Sequence, residues 1–408
     1  MNVRARLPAL GGAAAVLAVY ALALLFERYG VRSAVHGSDV ALYRADAHAV
    51  AAGQLPYRDL YFEYPPGALA PILAPQPAGD YAAAFKALMA VLGAGLLALA
   101  VPVLRAVGQR PLVRLLAIAV APLAVGSVFV NRFDVWPALL LLAGLVLLLR
   151  GRTTTAFVAL ALGTATKIFP VVALPVAAVW VWRTGGRDAL RRGLVAFGAA
   201  LLAVLVPFAA LGPGGLRFSF TIQLTRHLQT ESLAGAILLA AGKLGIYSPT
   251  IATAAPGSLD LFGTLPNLLA LLGLLVALGA IVWLTWTAAR GELDEAGVVA
   301  AVAAAVTAYV AFGKVLSPQY LIWLIPLVPL VRGAAGALAT ALLTAALVLT
   351  QLEFDRGYHE LHTLGPVVWV LLARDLVLVA LAAVLLVVVR RQALGGSQTS
   401  KPPLLTSR

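Results

Sequence analysis

No cysteine occurs among the 408 residues, which excludes disulfides, thiolate metal sites and a cysteine nucleophile. Charge is scarce as well. Only 12% of residues are Asp, Glu, Lys or Arg, where a soluble domain carries about 25%. Acids are the scarcer sign, 17 against 30 Lys plus Arg, for a net charge of +13. Hydrophobic residues reach 62%, above the roughly 45–50% of soluble domains. These proportions exclude a soluble enzyme, and the apolar content excludes a disordered chain. There is no phosphate-cradling Gly-rich loop and no internal repeat of the inverted-transporter kind.

What is present is a series of apolar segments. Twelve are read, near 9–26, 82–104, 113–130, 135–149, 153–166, 168–182, 193–212, 266–288, 296–312, 319–331, 333–351 and 364–389. A spanning helix needs about 20 apolar residues, so the fifth and tenth are short and are expected to lean on a polar-lined interior or break near Pro170 and Pro318. The first follows Met-Asn-Val-Arg-Ala-Arg like a signal peptide, but lacks a small-residue cleavage site and reads as a retained span. The expectation is an all-α integral membrane protein, a polytopic bundle of about 12 transmembrane helices, over residues 1–391. Residues 392–408 read as a flexible cytoplasmic tail.

The charges sort by side. Seventeen basic residues, Arg4, Arg105, Arg150, Arg191 and Arg390 among them, share one side with four acids, Asp188, Glu292, Asp294 and Glu295. The opposite side carries 11 basic residues and 12 acids. The positive-inside rule makes the first side cytoplasmic, with both termini there. The positive charge is then a topology signal, and nucleic acid is not an expected partner. The two long loops, 27–81 and 213–265, fall on the extracytoplasmic face; long ordered loops are usually functional.

Loop 27–81 holds the candidate chemistry. Ser38 is expected to cap a helix over about 39–52 that stops at Gly53, with Val40, Leu42 and Tyr43 towards the membrane. Asp39 reads either as part of that cap or as a general base, a carboxylate placed to deprotonate an acceptor hydroxyl. Asp59 and Glu63 compete for the role, against salt bridges with Arg58 or Arg44. Tyr57, Tyr61, Phe62 and Tyr64 suit interfacial anchoring, stacking on a sugar, or packing on a lipid chain.

Five motifs occur in order: Asp39 with Tyr43 followed by Gly53-Gln54-Leu55-Pro56-Tyr57-Arg58-Asp59-Leu60-Tyr61-Phe62-Glu63-Tyr64-Pro65-Pro66; Asn131-Arg132-Phe133-Asp134; Lys167-Ile168-Phe169-Pro170; Arg226-His227-Leu228-Gln229-Thr230-Glu231-Ser232; and Lys314-Val315-Leu316-Ser317-Pro318-Gln319-Tyr320. Over roughly residues 10–390 the chain resembles the polyprenyl-phosphate-mannose-dependent mannosyltransferases of the C-type, multi-span glycosyltransferase superfamily. The resemblance implies a polyprenyl-phosphate sugar donor, a glycolipid or glycan acceptor of the cell envelope, and a catalytic aspartate carried onto Asp39. It implies mannose, with arabinofuranose as the other sugar, and points towards actinobacteria. One departure stands out: many members continue the late Ser-Pro into a His pair close by, and the run Ser317-Pro318-Gln319-Tyr320-Leu321-Ile322-Trp323 here contains no His.

A departing lipid phosphate needs cations or oriented donors. Arg226, Lys314, Lys167 and Arg132 are the candidates, with snorkelling to the interface as the plainer role. Tyr43, Tyr57, Glu63, Tyr64, His227, Gln229, Glu231, Gln319 and Tyr320 complete the candidate substrate contacts. No cofactor is expected. His359, Glu360, His362, Glu353 and Asp355 have ligand chemistry, though solvation of a loop accounts for them. Asp134 reads as an ion pair or helix cap. The Arg374-Asp375 pair inside the last segment is costly in lipid, and it suits the alternative function, a transporter or flippase of a lipid-linked sugar.

Overall fold

The computed structural model describes residues 3–29, 38–255, 258–354 and 358–399. Apolar runs in lipid must satisfy their backbone internally, so they form helices. The first is α1 (Val3–Tyr29). The connection after it carries α2 (Val40–Ala51) and α3 (Leu69–Leu73). Then come α4 (Tyr81–Ala106), α5 (Pro111–Val125), α6 (Val128–Asn131), α7 (Val135–Leu149) and α8 (Thr153–Thr166). The segment expected as one span over 113–130 is broken, because Gly126 takes φ 70° and separates α5 from the single turn α6.

A 3₁₀ stretch, Phe169–Ala173, leads into α9 (Leu174–Leu211), whose helical path is interrupted at Gly186 (φ 75°). The two arms correspond to the expected segments 168–182 and 193–212. The next helices are α10 (Pro213–Thr225), α11 (Leu233–Lys243), α12 (Thr264–Arg290) and α13 (Glu295–Phe312). Almost every residue of α13 is buried, and its Ala, Gly and Val side chains let neighbouring helices approach closely. The expected segment 319–331 is two buried 3₁₀ turns, Pro318–Trp323 and Val328–Leu330. The chain closes with α14 (Gly333–Phe354) and α15 (Val367–Thr399).

Among the described residues, six helical stretches are long and apolar enough to cross a membrane, and shorter apolar helices fill in around them. The protein is an all-α polytopic membrane protein. Its one sheet among the described residues lies in the second long connection: β1 (Leu228–Gln229), β2 (Thr250–Ala255) and β3 (Ser258–Phe262), antiparallel in the order β1-β3-β2. The sheet was not expected from the sequence. It places Gln229 opposite Asp260.

Candidate active site

Asp39 stands at the start of α2, and its surroundings revise the expected cap. Asp39, not Ser38, occupies the N-cap position; Ser38 Oγ accepts the amide of Val40, at 3.3 Å. The Asp39 carboxylate makes no capping bond. It pairs with the guanidinium of Arg132 and accepts the Tyr43 hydroxyl at 3.3 Å. About a quarter of the side chain stays exposed. The membrane-facing expectation for α2 is also corrected. Val40, Tyr43 and Ala47 are buried in the protein, because Tyr43 packs on Phe85 and Phe133, and Leu42 alone of the expected face is exposed.

The sequence reading passed over Asp46. It lies seven residues, or two turns, beyond Asp39 and shares the buried face of α2. Burial, with the charge of Glu63 beside it, pushes its carboxyl up to about 6. The signal was present: two aspartates one heptad apart, with Tyr43 between them on the same face.

The link between α6 and α7 supplies the next charges. Arg132 turns to Asp39, and Asp134 is fully buried on the other side of Phe133. Asp134 Oδ1 accepts from Lys167 Nζ and from the Trp323 indole, each at 2.7 Å. Lys167, just past α8, sits over the rings of Phe133, Tyr320 and Trp323 at 5.1, 5.4 and 5.5 Å, within cation–π range. Burial pulls its ammonium below the ordinary lysine value, and Asp134 opposes that shift. Phe169 and Tyr320 stack on Trp323 with centroids 3.9 and 4.1 Å away. Trp323 lies three residues past the Lys314–Tyr320 motif and was not counted in the site; its indole N–H seals the Asp134 nest.

Tyr64 packs edge-on against Phe133 at 4.9 Å and also touches Tyr43. Its hydroxyl interacts with Glu63 and Tyr43. Tyr57 is held structurally: φ is 70°, and its hydroxyl donates to the Tyr64 carbonyl at 2.5 Å. Gly215 abuts the Tyr57 backbone so closely that a Cβ there would collide with the Tyr57 carbonyl oxygen. That contact ties the two long connections together. Asp59, by contrast, pairs with the exposed Arg58 at 2.8 Å and accepts the Leu55 amide at 3.0 Å.

The second connection forms another wall. Lys314 Nζ donates to the carbonyls of Leu224 and Arg226 at 2.7 and 2.8 Å, and its own carbonyl accepts the Gln229 amide at 3.0 Å. Lys314 and the Arg226 backbone are therefore joined, with two ammonium donors spent on main chain. His227 packs on Phe262 at 4.2 Å. Gln229 Nε2 donates to Glu231 Oε2 at 2.8 Å. Burial and the neighbouring Glu353 push the Glu231 carboxyl well above the usual range. Gln319 Oε1 accepts the Ser317 hydroxyl at 2.7 Å.

Several of these groups lie within electrostatic reach of one another. Arg132 feels the charges of Asp134 and Glu231, and Tyr320 those of Arg226, Asp134 and Glu63. No group of three or more metal-ligating side chains forms among the described residues. Glu353 is directed to Arg374 in the bundle; Asp355 and the His359 side chain lie outside the described residues.

The arrangement offers a carboxylate, adjacent cations and aromatic faces at the ends of several spans. A model of glycosyltransferase family 87 matches residues 61–318, more than half of the chain. The chain belongs to glycosyltransferase family 87. It is a membrane glycosyltransferase of a multi-span, C-type family, and it acts on a sugar donor and an acceptor in the setting of membrane lipid. The match includes Glu63, Arg132, Asp134, Lys167, Arg226, Glu231 and Lys314, and begins after Asp39. No curated protein matches the chain.

Proposed function

We propose that the enzyme transfers a sugar, mannose by its sequence resemblance, from a polyprenyl-phosphate donor to a cell-envelope glycolipid or glycan on the extracytoplasmic face, with both chain termini cytoplasmic. The observation that carries the reading is the contact of Asp39 with Arg132. One step needs both groups. The acceptor hydroxyl oxygen attacks the anomeric carbon, and its proton passes to Asp39. The bond from that carbon to the phosphate oxygen breaks, and the electron pair leaves on the phosphate. Charge developing there is met by Arg132, with the Arg226 side chain as a second cation. Direct displacement inverts the anomeric configuration. Before donor binds, Arg132 neutralises Asp39; a phosphate competes for the guanidinium, which favours bidentate anions, and so releases the base for the acceptor.

Lys167 supports the same reading from behind, through its hold on Asp134 and its three aromatic neighbours. Of the Arg374-Asp375 pair that suited a transporter, both side chains are buried and Arg374 bonds the Glu231 carbonyl of the proposed site's wall.

The test is direct. Purified enzyme in nanodiscs, given a synthetic polyprenyl-phosphate mannose and an envelope lipid extract, should form a mannosylated product with inverted configuration. Transfer from a nucleotide sugar but not from the lipid phosphate would overturn the donor assignment. The cysteine-free chain makes topology accessible too. Single cysteines at the exposed Gln54 and Ile246 should react with an impermeant maleimide in intact spheroplasts, and one at Arg191 only after lysis; the reverse pattern would move the site to the cytoplasm.

A further inference from the structure

Arg374 lies in α15 with no solvent exposure. An arginine buried among spanning helices is costly unless each donor finds a partner. Its Nε donates to Asp375 Oδ1 at 2.9 Å and one terminal nitrogen to Glu353 Oε2, on α14, at 3.4 Å. The other terminal nitrogen leaves the bundle's own charges and bonds the main-chain carbonyl of Glu231. Glu231 belongs to the segment Arg226–Ser232. Its carboxyl group accepts from the side chain of Gln229, whose main-chain amide donates to the Lys314 carbonyl, and the Lys314 ammonium donates back to the Arg226 carbonyl. Arginine, carbonyl and amide thus form a continuous hydrogen-bonded path from the last two spans to the wall that carries Arg226 and Lys314.

We propose that Arg374 is a positioning residue for the transferase site: through the Glu231 carbonyl it fixes the 226–232 wall against the bundle. This rests on the functional reading above for its consequence, though not for its geometry. The guanidinium's planar fork serves three acceptors in fixed directions, which a lysine point charge cannot do. Glu353 and Asp375 orient that fork. A plainer role competes with this one. The same substructure also packs through Leu228, Leu239, Leu261, Leu361, Val368 and Leu371, and that apolar cluster alone could hold the wall, with the ions merely neutralising one another.

Replacing all three ions separates the two roles. Arg374→Leu/Glu353→Leu/Asp375→Leu removes the three ions together and leaves Glu231, whose carboxyl is already held well above the usual range by burial; such joint replacements are commonly neutral or stabilising. The probe is Thr230→Cys in this otherwise cysteine-free chain, at a position with 0% exposure. With the ions intact, the introduced thiol should resist an impermeant maleimide. In the triple-leucine background, labelling should rise about tenfold or more while the melting temperature in detergent is maintained. The KM for the lipid-phosphate donor should rise about tenfold with kcat within about threefold, and Arg374→Lys should fall between. Undiminished protection of the introduced thiol in a folded triple variant would overturn the proposal. So would a lowered melting temperature, which would assign the ions to bundle stability. Labelling requires no substrate, so absence of mannosyl transfer by the parent enzyme would count against the proposed function alone.

Discussion

The short link Arg132-Phe133-Asp134 holds two ion pairs of opposite construction. On one side its cation meets Asp39, a carboxylate still a quarter exposed and backed by one hydroxyl at 3.3 Å. On the other its anion is sealed: Lys167 and the Trp323 indole both donate at 2.7 Å, and aromatic rings close the nest. A pair open to solvent can exchange its partner for a substrate phosphate. A pair locked behind an indole cannot do so without unpacking the bundle. The difference separates a group available for chemistry from one that holds the chemistry in place, although both are aspartates at helix N-termini.

The sharpest way to break this comparison is Asp39→Asn. The amide keeps the size and cannot take the acceptor proton, so the transfer rate should fall about 100- to 10,000-fold. The Asp39 side chain makes no capping bond, and an asparagine oxygen there can still accept from Arg132, so the melting temperature should fall far less than in Asp134→Ala. Full activity in Asp39→Asn would remove the base assignment. The sealed pair should respond in the opposite way. Asp134→Ala leaves Lys167 buried without its counter-charge and the indole N–H without an acceptor, at a cost of about 3–5 kcal/mol. Its signature is lost stability, with any activity loss following the fold; a stable but inactive Asp134→Ala would make Asp134 chemical.

How much of this was legible in the sequence depends on what each feature rests on. Helices α7 and α8 fall on the apolar runs 135–149 and 153–166, because burial and lipid both reward an uninterrupted apolar helix. The break at Gly126 was missed, since a glycine in an apolar run gives no period change, and its positive φ is set by packing. The sheet was missed because its strands are short and alternate weakly. In the site, the order of motifs marked Asp39, Arg132, Lys167, Arg226 and Lys314 as one set. What no motif shows is who pairs with whom. The Arg132–Asp39, Lys167–Asp134 and Arg374–Glu231 contacts span 93, 33 and 143 positions, as their residue numbers give, and only the packed bundle fixes them. Asp46 was overlooked because a lone acid in an amphipathic helix reads as its solvated face.

Asp46 extends the comparison to a carboxylate that is buried and has no ion-pair partner among the described residues. Its carboxyl is raised from 3.8 to about 6, so the folded protein holds a proton there that the unfolded chain has lost. Stability from this group is therefore full below about pH 4 and declines as pH rises through 6. Asp46→Asn should abolish that decline. At pH 7.5 the variant should be more stable than the parent by about 1–3 kcal/mol, and the two should converge below pH 4. Detergent melts across pH 3.5–8 measure this; parallel curves would mean that the Asp46 carboxyl titrates in the fold as it does in the unfolded chain.

The smallest effect belongs to Asp59, which shares the connection and the charge of Asp39 but none of its setting. Its partners, Arg58 and the Leu55 amide, are local in sequence. The Arg58 guanidinium and that amide hold its carboxyl below the usual range, which makes it a weaker proton acceptor at the pH where a base must work. An exposed ion pair between adjacent residues also contributes little to stability, because solvent and salt screen it. Asp59→Asn should leave the melting temperature unchanged and the transfer rate within about twofold of the parent, a loss far below the range expected for removing a general base. Measured beside Asp39→Asn on one membrane preparation, it isolates position from charge. If the two substitutions exchanged outcomes, the base would be Asp59, and the Arg132–Asp39 pair would belong with the sealed Asp134 pair as a structural contact.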